Sequence, residues 1–253
     1  MDGFGGELDR KAADAAGAAP EPLPSYMVKR YEAWRGSRFA GDRAWYAQLA
    51  AHGQHPRAMV IAGGDSRVDV TGLLGSEPGE LFTVRNVANI CPPFAPGHEH
   101  HSTCAAIEYA VTALKVSHIV VLGHAHCGGV QAYRQRRDAE AARAASADDC
   151  SSSCCAPPSN SFIDRWMDLL KPAYDRLSLM AWPEAETEAQ REAERQKTLE
   201  QEGVLSSLRN LLGFPFVREA VAAGTLTVHG AWFDIGEGRL HAYDPKTERF
   251  DPV

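Results

Sequence analysis

The chain has 253 residues, 44% of them hydrophobic, with a formal net charge of −7. That apolar share can bury a core and excludes wholesale disorder. Acidic and basic residues alternate along most of the length, which leaves no clustered basic stripe for nucleic acid, and no stretch reaches the ~20 apolar residues of a membrane span.

Residues 1–24 are rich in Ala, Gly and Pro and carry Asp2, Glu7, Asp9, Asp14 and Glu21. They lack the basic start and apolar middle of a secretory signal and read as a flexible arm, which makes a cytoplasmic location the default expectation. The remainder, 25–253, reads as one domain. From Ser25 to about His52 the aromatic residues Tyr31, Trp34, Phe39, Trp45 and Tyr46 recur at helical spacing, with Gly36 and Gly41 dividing the stretch into two helices.

Residues 58–62 (AMVIA) form a short apolar run that ends in Gly63-Gly64-Asp65, the pattern of a buried parallel strand with a loop at its carboxyl end. A second strand, 81–84, leads into Arg85-Asn86. Residues 103–115 carry an apolar-faced helix capped by Ser102 or Thr103. Residues 118–122 form a third buried strand, and its loop spans 123–129. Arg134-Gln135-Arg136-Arg137 reads as a solvated helix end.

Helical patterning returns over 162–180 and 184–212. In the second stretch Leu199, Val204, Leu205, Leu208 and Leu212 are expected to face the core. Strand runs at 225–228, 231–233 and 240–243 close the chain, the last two joined by a glycine turn. Strand, helix, strand in this order is a βαβ unit. The expected fold is therefore α/β, a mostly parallel central sheet flanked by helices.

The six cysteines are 91, 104, 127, 150, 154 and 155. In a cytoplasmic chain they read as free thiols or metal ligands rather than a disulfide framework. His124-x-x-Cys127 can place an imidazole and a thiolate on one metal ion. It follows one buried strand, and Asp65-Ser66-Arg67 follows another, so the two loops can converge beyond the carboxyl ends of the sheet.

These segments resemble the β-class carbonic anhydrases, in which Cys-x-Asp-Ser-Arg and His-x-x-Cys hold one zinc ion. The resemblance extends over about 26–253 through Arg85-Asn86-Val-Ala-Asn89, Glu108-Tyr109, Cys127-Gly128-Gly129-Val130, Asp234-Ile-Gly and Tyr243-Asp-Pro. It implies a zinc-dependent lyase that interconverts carbon dioxide and bicarbonate, assembled as a homodimer or homotetramer. It also implies that His124 and Cys127 are zinc ligands and that Asp65 and Arg67 are the catalytic pair, the carboxylate accepting a hydrogen bond from zinc-bound water.

This chain departs from the family at Gly63, where the first zinc thiolate belongs. Three accounts follow. Asp65 could serve as the third ligand beside His124 and Cys127. Another donor could fill the gap, with Cys104, His126 or the Cys150, Cys154 and Cys155 cluster as candidates. Or the chain could be an inactive paralogue that acts as a binding or regulatory subunit. From a different class, the acidic helix 184–212 could be an adaptor surface, against the plainer reading of an amphipathic helix facing the core.

Overall fold

The computed structural model describes residues 20–97, 101–146, 161–182 and 187–253. Internal contacts divide the chain into two units after Gly53. Of the arm expected over 1–24, only 20–24 fall among the described residues, and the Cys150, Cys154 and Cys155 cluster lies outside them.

In the first part, α1 (Ser25–Trp34) runs into a π-helical turn, Arg35–Phe39, before α2 (Arg43–His52). Gly36 does not break the helix as its residue type suggests; it sits inside the wide turn, and the break comes at Asp42. Trp34 closes the pair, with its ring 5.7 Å from both Phe39 and Tyr46.

The second part is built on a six-stranded sheet in the order β2-β1-β3-β4-β5-β6. Its strands are β1 (Ala58–Gly63), β2 (Leu81–Asn86), β3 (His118–His124), β4 (Thr227–Asp234), β5 (Arg239–Asp244) and β6 (Arg249–Pro252). The first four are parallel; β5 and β6 return antiparallel. The α/β reading holds. Residues 227–228 of the first expected run and all of 231–233 fall in the one strand β4, which runs unbroken through His229 and Gly230. Neither β6 nor the helix over 215–222 is part of the sequence reading.

Alternation along β1 explains its unbroken apolar run. Met59 and Ile61 join Ile107, Ile119, Leu211 and Phe214 in one core cluster, while Val60 and Ala62 join Leu122 and Ala231 in another. The helices are α3 (Val70–Leu73), α4 (His101–Glu108), α5 (Gly128–Ser146), α6 (Phe162–Met167), α7 (Lys171–Leu179), α8 (Glu188–Leu211) and α9 (Pro215–Ala222). Helix α4 already includes His101, so Ser102 and Thr103 lie in its first turn rather than at the cap. Thr187 caps α8 instead, in a reciprocal pair with Gln190.

The basic run 134–137 is not a solvated helix end. Arg134 lies in the middle of α5 and is buried, paired with Asp138 at 3.1 Å and Glu192 at 2.6 Å. Its face of α5 packs on α8, so the guanidinium is enclosed by carboxylates rather than water.

Helix α8 packs on β3 and β4, and its side chains press directly on glycines of both strands. A Cβ on Gly123 would sit 2.7 Å from Val204 Cγ2, and one on Gly230 would sit 3.0 Å from Leu208 Cδ1. Gly123→Ala should therefore push the helix off the sheet and lower stability by about 1–3 kcal/mol. Chemical denaturation checks this: a midpoint equal to that of the unaltered protein would refute the close packing.

Candidate active site

The order β2-β1-β3 makes the gap between β1 and β3 the switch point of the sheet, where successive connections leave in opposite directions. The loop after β1 and the loop after β3 open into this crevice. Arg85, on β2, straps the first loop in place: Nε donates to the Gly63 carbonyl at 2.9 Å, and Nη2 donates to the carbonyls of Asp65 at 2.6 Å and Val68 at 2.9 Å. The Gly64 amide donates to the Asn86 carbonyl at 2.8 Å.

Asp65 and Arg67 form a closed pair. Arg67 gives Asp65 Oδ1 its amide and its Nε, each at 2.9 Å, and gives Oδ2 its Nη2 at 2.6 Å. The same Nη2 reaches the His126 carbonyl at 2.9 Å, so one guanidinium links both loops. These hydrogen bonds from Arg67 hold the Asp65 carboxyl well below the usual carboxylate range.

His124 is the last residue of β3 and is 2% exposed. Its Nδ1 lies 2.9 Å from the Ala125 carbonyl, which can only accept, so Nδ1 carries the proton and Nε2 presents a lone pair. That lone pair faces the crevice, 3.9 Å from Asp65 Oδ2. Beside it stands Gly63, where a Cβ would lie 3.0 Å from Nε2.

Cys127 is buried at the start of α5, and burial pushes its thiol up, partly countered by the amides of Val130 and Gly129. Its own amide donates to Glu200 Oε1 at 2.9 Å. Glu200 is the residue that sequence reasoning missed. It is buried on α8, accepts from Gln196 Nε2 at 2.8 Å and from Trp232 Nε1 at 3.2 Å, and burial raises its carboxyl. The available signal was an acidic residue beside Leu199 on the stripe that continues through Gly203, Val204, Ser207 and Leu211, all buried.

The other expected donors stand apart. His126 is exposed, in the left-handed backbone region at φ 55°, and contributes its carbonyl rather than its ring. Cys104 packs against the cluster that contains Ile107 and Phe214. Among the described residues, no three His, Cys, Asp or Glu side chains come together in an arrangement that could hold a metal ion. The donors here, His124 Nε2 and the Cys127 thiol, therefore do not fit a zinc ion held by three protein ligands.

The family model for carbonic anhydrase matches residues 58–240. Beta carbonic anhydrase 5 (chloroplastic) of Arabidopsis thaliana is 33% identical over 208 residues, which span 82% of this chain and 60% of that protein. Beta carbonic anhydrase 3 of the same plant is 32% identical over 242 residues, spanning 94% and 80%. Among solved structures, the β-carbonic anhydrase CcaA superposes with a TM-score of 0.70 at 27% identity, covering 90% of this chain and 91% of that one. A tetrameric β-carbonic anhydrase from Sordaria macrospora gives 0.64 at 32% identity, covering 86% and 94%. With the family match spanning β1 through β4 and into the start of β5, and the fold in agreement, this chain belongs to the β-class carbonic anhydrases.

Proposed function

We propose that the chain acts on carbon dioxide and bicarbonate in the crevice between β1 and β3, as a carbonic-anhydrase-like lyase whose hold on metal is impaired. Gly63 carries this reading. It stands against His124 Nε2, where a third donor would complete the set, and it has no side chain to offer. The surroundings support retained chemistry: the ionised Asp65 is a fixed hydrogen-bond acceptor, and Arg67 of the same loop orients it while reaching across to the His126 carbonyl of the second loop. To become a ligand, Asp65 would have to release the Arg67 donors that occupy both its oxygens. The likeness to tetrameric relatives supports assembly with copies of itself.

A second reading has one observation in its favour, the same missing donor. On this account the chain is an inactive subunit that keeps the scaffold and binds an active relative.

Elemental analysis of the purified protein, paired with stopped-flow carbon dioxide hydration, separates the two. Substoichiometric zinc with slow turnover supports the impaired enzyme; no zinc and no turnover supports the subunit. Gly63→Cys should raise both zinc content and turnover, by about tenfold or more, because it restores a third protein ligand. His124 must first give by a few tenths of an ångström to admit the new side chain. If that variant gains neither zinc nor rate, the missing thiolate is not the controlling defect. Asp65→Ala should leave the zinc content of the unaltered site unchanged; loss of metal would make Asp65 the third ligand instead.

The Asp65–Arg67 pair also sets a pH dependence. A carboxyl whose folded value is depressed stabilises the fold above the unfolded value of about 4, and that contribution is lost as pH falls through the folded value. Carbon-detected NMR titration should find Asp65 still ionised below about pH 3, and Arg67→Ala should return it toward the ordinary range. A wild-type midpoint near 4 would refute the pairing.

A further inference from the structure

The amino-terminal parts of β3 and β4 carry a pair of imidazoles that takes no part in the crevice. His118 opens β3, and His229 is the third residue of β4. The register sets His118 opposite Thr227 and Val120 opposite His229, so the two histidines are diagonal neighbours on one face of the sheet. Their side chains meet: His118 Nδ1 lies 3.1 Å from His229 Nε2, with ring centroids 5.3 Å apart. Both residues are exposed. His118 and His124 are six residues apart along β3, so the two sites are separated by roughly 20 Å.

We propose that His118 and His229 form a chelating site for a borderline divalent transition-metal cation, distinct from His124 and Cys127. Two nitrogens bound to one metal at about 2.0–2.1 Å lie about 2.9 Å apart at a right angle and about 3.4 Å apart at the tetrahedral angle. The observed 3.1 Å falls between these limits, so a cation replaces the shared hydrogen bond without moving either backbone. The backbones are themselves fixed, since Ile119 and Val121 of β3 are fully buried and hold the strand in register with β4.

Imidazole suits zinc, nickel and copper, and exposure leaves the remaining coordination positions to water. Partial burial and the neighbouring His118 lower the pKa of His229, which favours the neutral ring that ligation requires. Both rings enter the complex neutral. The proton of the shared hydrogen bond passes through water to the outer nitrogen of its own ring, and the only charge added is that of the cation.

Calorimetric titration of the full chain with nickel and with zinc tests the site, on the unaltered protein and on His118→Gln, His229→Gln and Cys127→Ser. One binding event should weaken roughly tenfold or more in each histidine variant and persist in Cys127→Ser. Long-range nitrogen NMR of the unaltered protein adds a reading that needs no variant: both imidazoles should shift together on addition of zinc. The proposal is overturned if the event keeps its affinity in either histidine variant, if Cys127→Ser removes it, or if the two rings do not respond to zinc.

Discussion

A single buried carboxylate fastens the site to the rest of the molecule. Glu200, 3% exposed, accepts hydrogen bonds from the Cys127 amide, the Gln196 amide and the Trp232 indole, and so joins the loop after β3 to α8 and to β4. Burying a carboxyl without partners would be costly, and three donors offset that cost only if all three elements are in place at once. The constraint therefore runs both ways: the loop is held because the helix is docked, and the helix tolerates an inward acid because the loop supplies a donor. Gly123 and Gly230 permit this by letting α8 come close enough to the sheet for Glu200 to reach.

From that anchor the crevice is braced by two arginines. Arg85 ties the loop after β1 to β2, and Arg67 ties the same loop to the His126 carbonyl in the loop after β3. Gly63 lies inside this bracing, and its carbonyl is one of the acceptors Arg85 uses. A backbone carbonyl serves in that role whatever the side chain. This is a physical reason why a glycine at position 63 leaves the surrounding geometry whole.

The sequence makes the central strands legible because they are buried on both faces and hence written as continuous apolar runs. The same logic places Asp65, Arg67, His124 and Cys127 at the strand ends, where the structure puts them. It fails where a tertiary partner reverses the local meaning of a residue. Arg134 looks like part of a solvated basic run, yet Asp138 and Glu192 enclose it between two helices. Glu200 looks like one more acid on an acidic helix, yet it points inward. Gly36 looks like a stop, yet the helix absorbs it in a π-helical turn. For Arg134 and Glu200 the deciding atoms come from another part of the chain, which periodicity cannot reveal.

The two histidine sites on β3 show how one strand can present the same side chain to different ends. His118 and His124 are separated by an even number of residues and so share a face of the sheet. At the carboxyl end, His124 is buried, its tautomer is fixed by the Ala125 carbonyl, and its free nitrogen meets a glycine. At the amino end, His118 is exposed and its nitrogen meets a second imidazole. Burial prepares the first ring for a single orientation, with a glycine against its outer nitrogen. Pairing supplies the second ring with a donor but leaves it open to water. Whether an imidazole becomes a metal site thus depends less on the strand that carries it than on what stands about 3 Å from its lone pair.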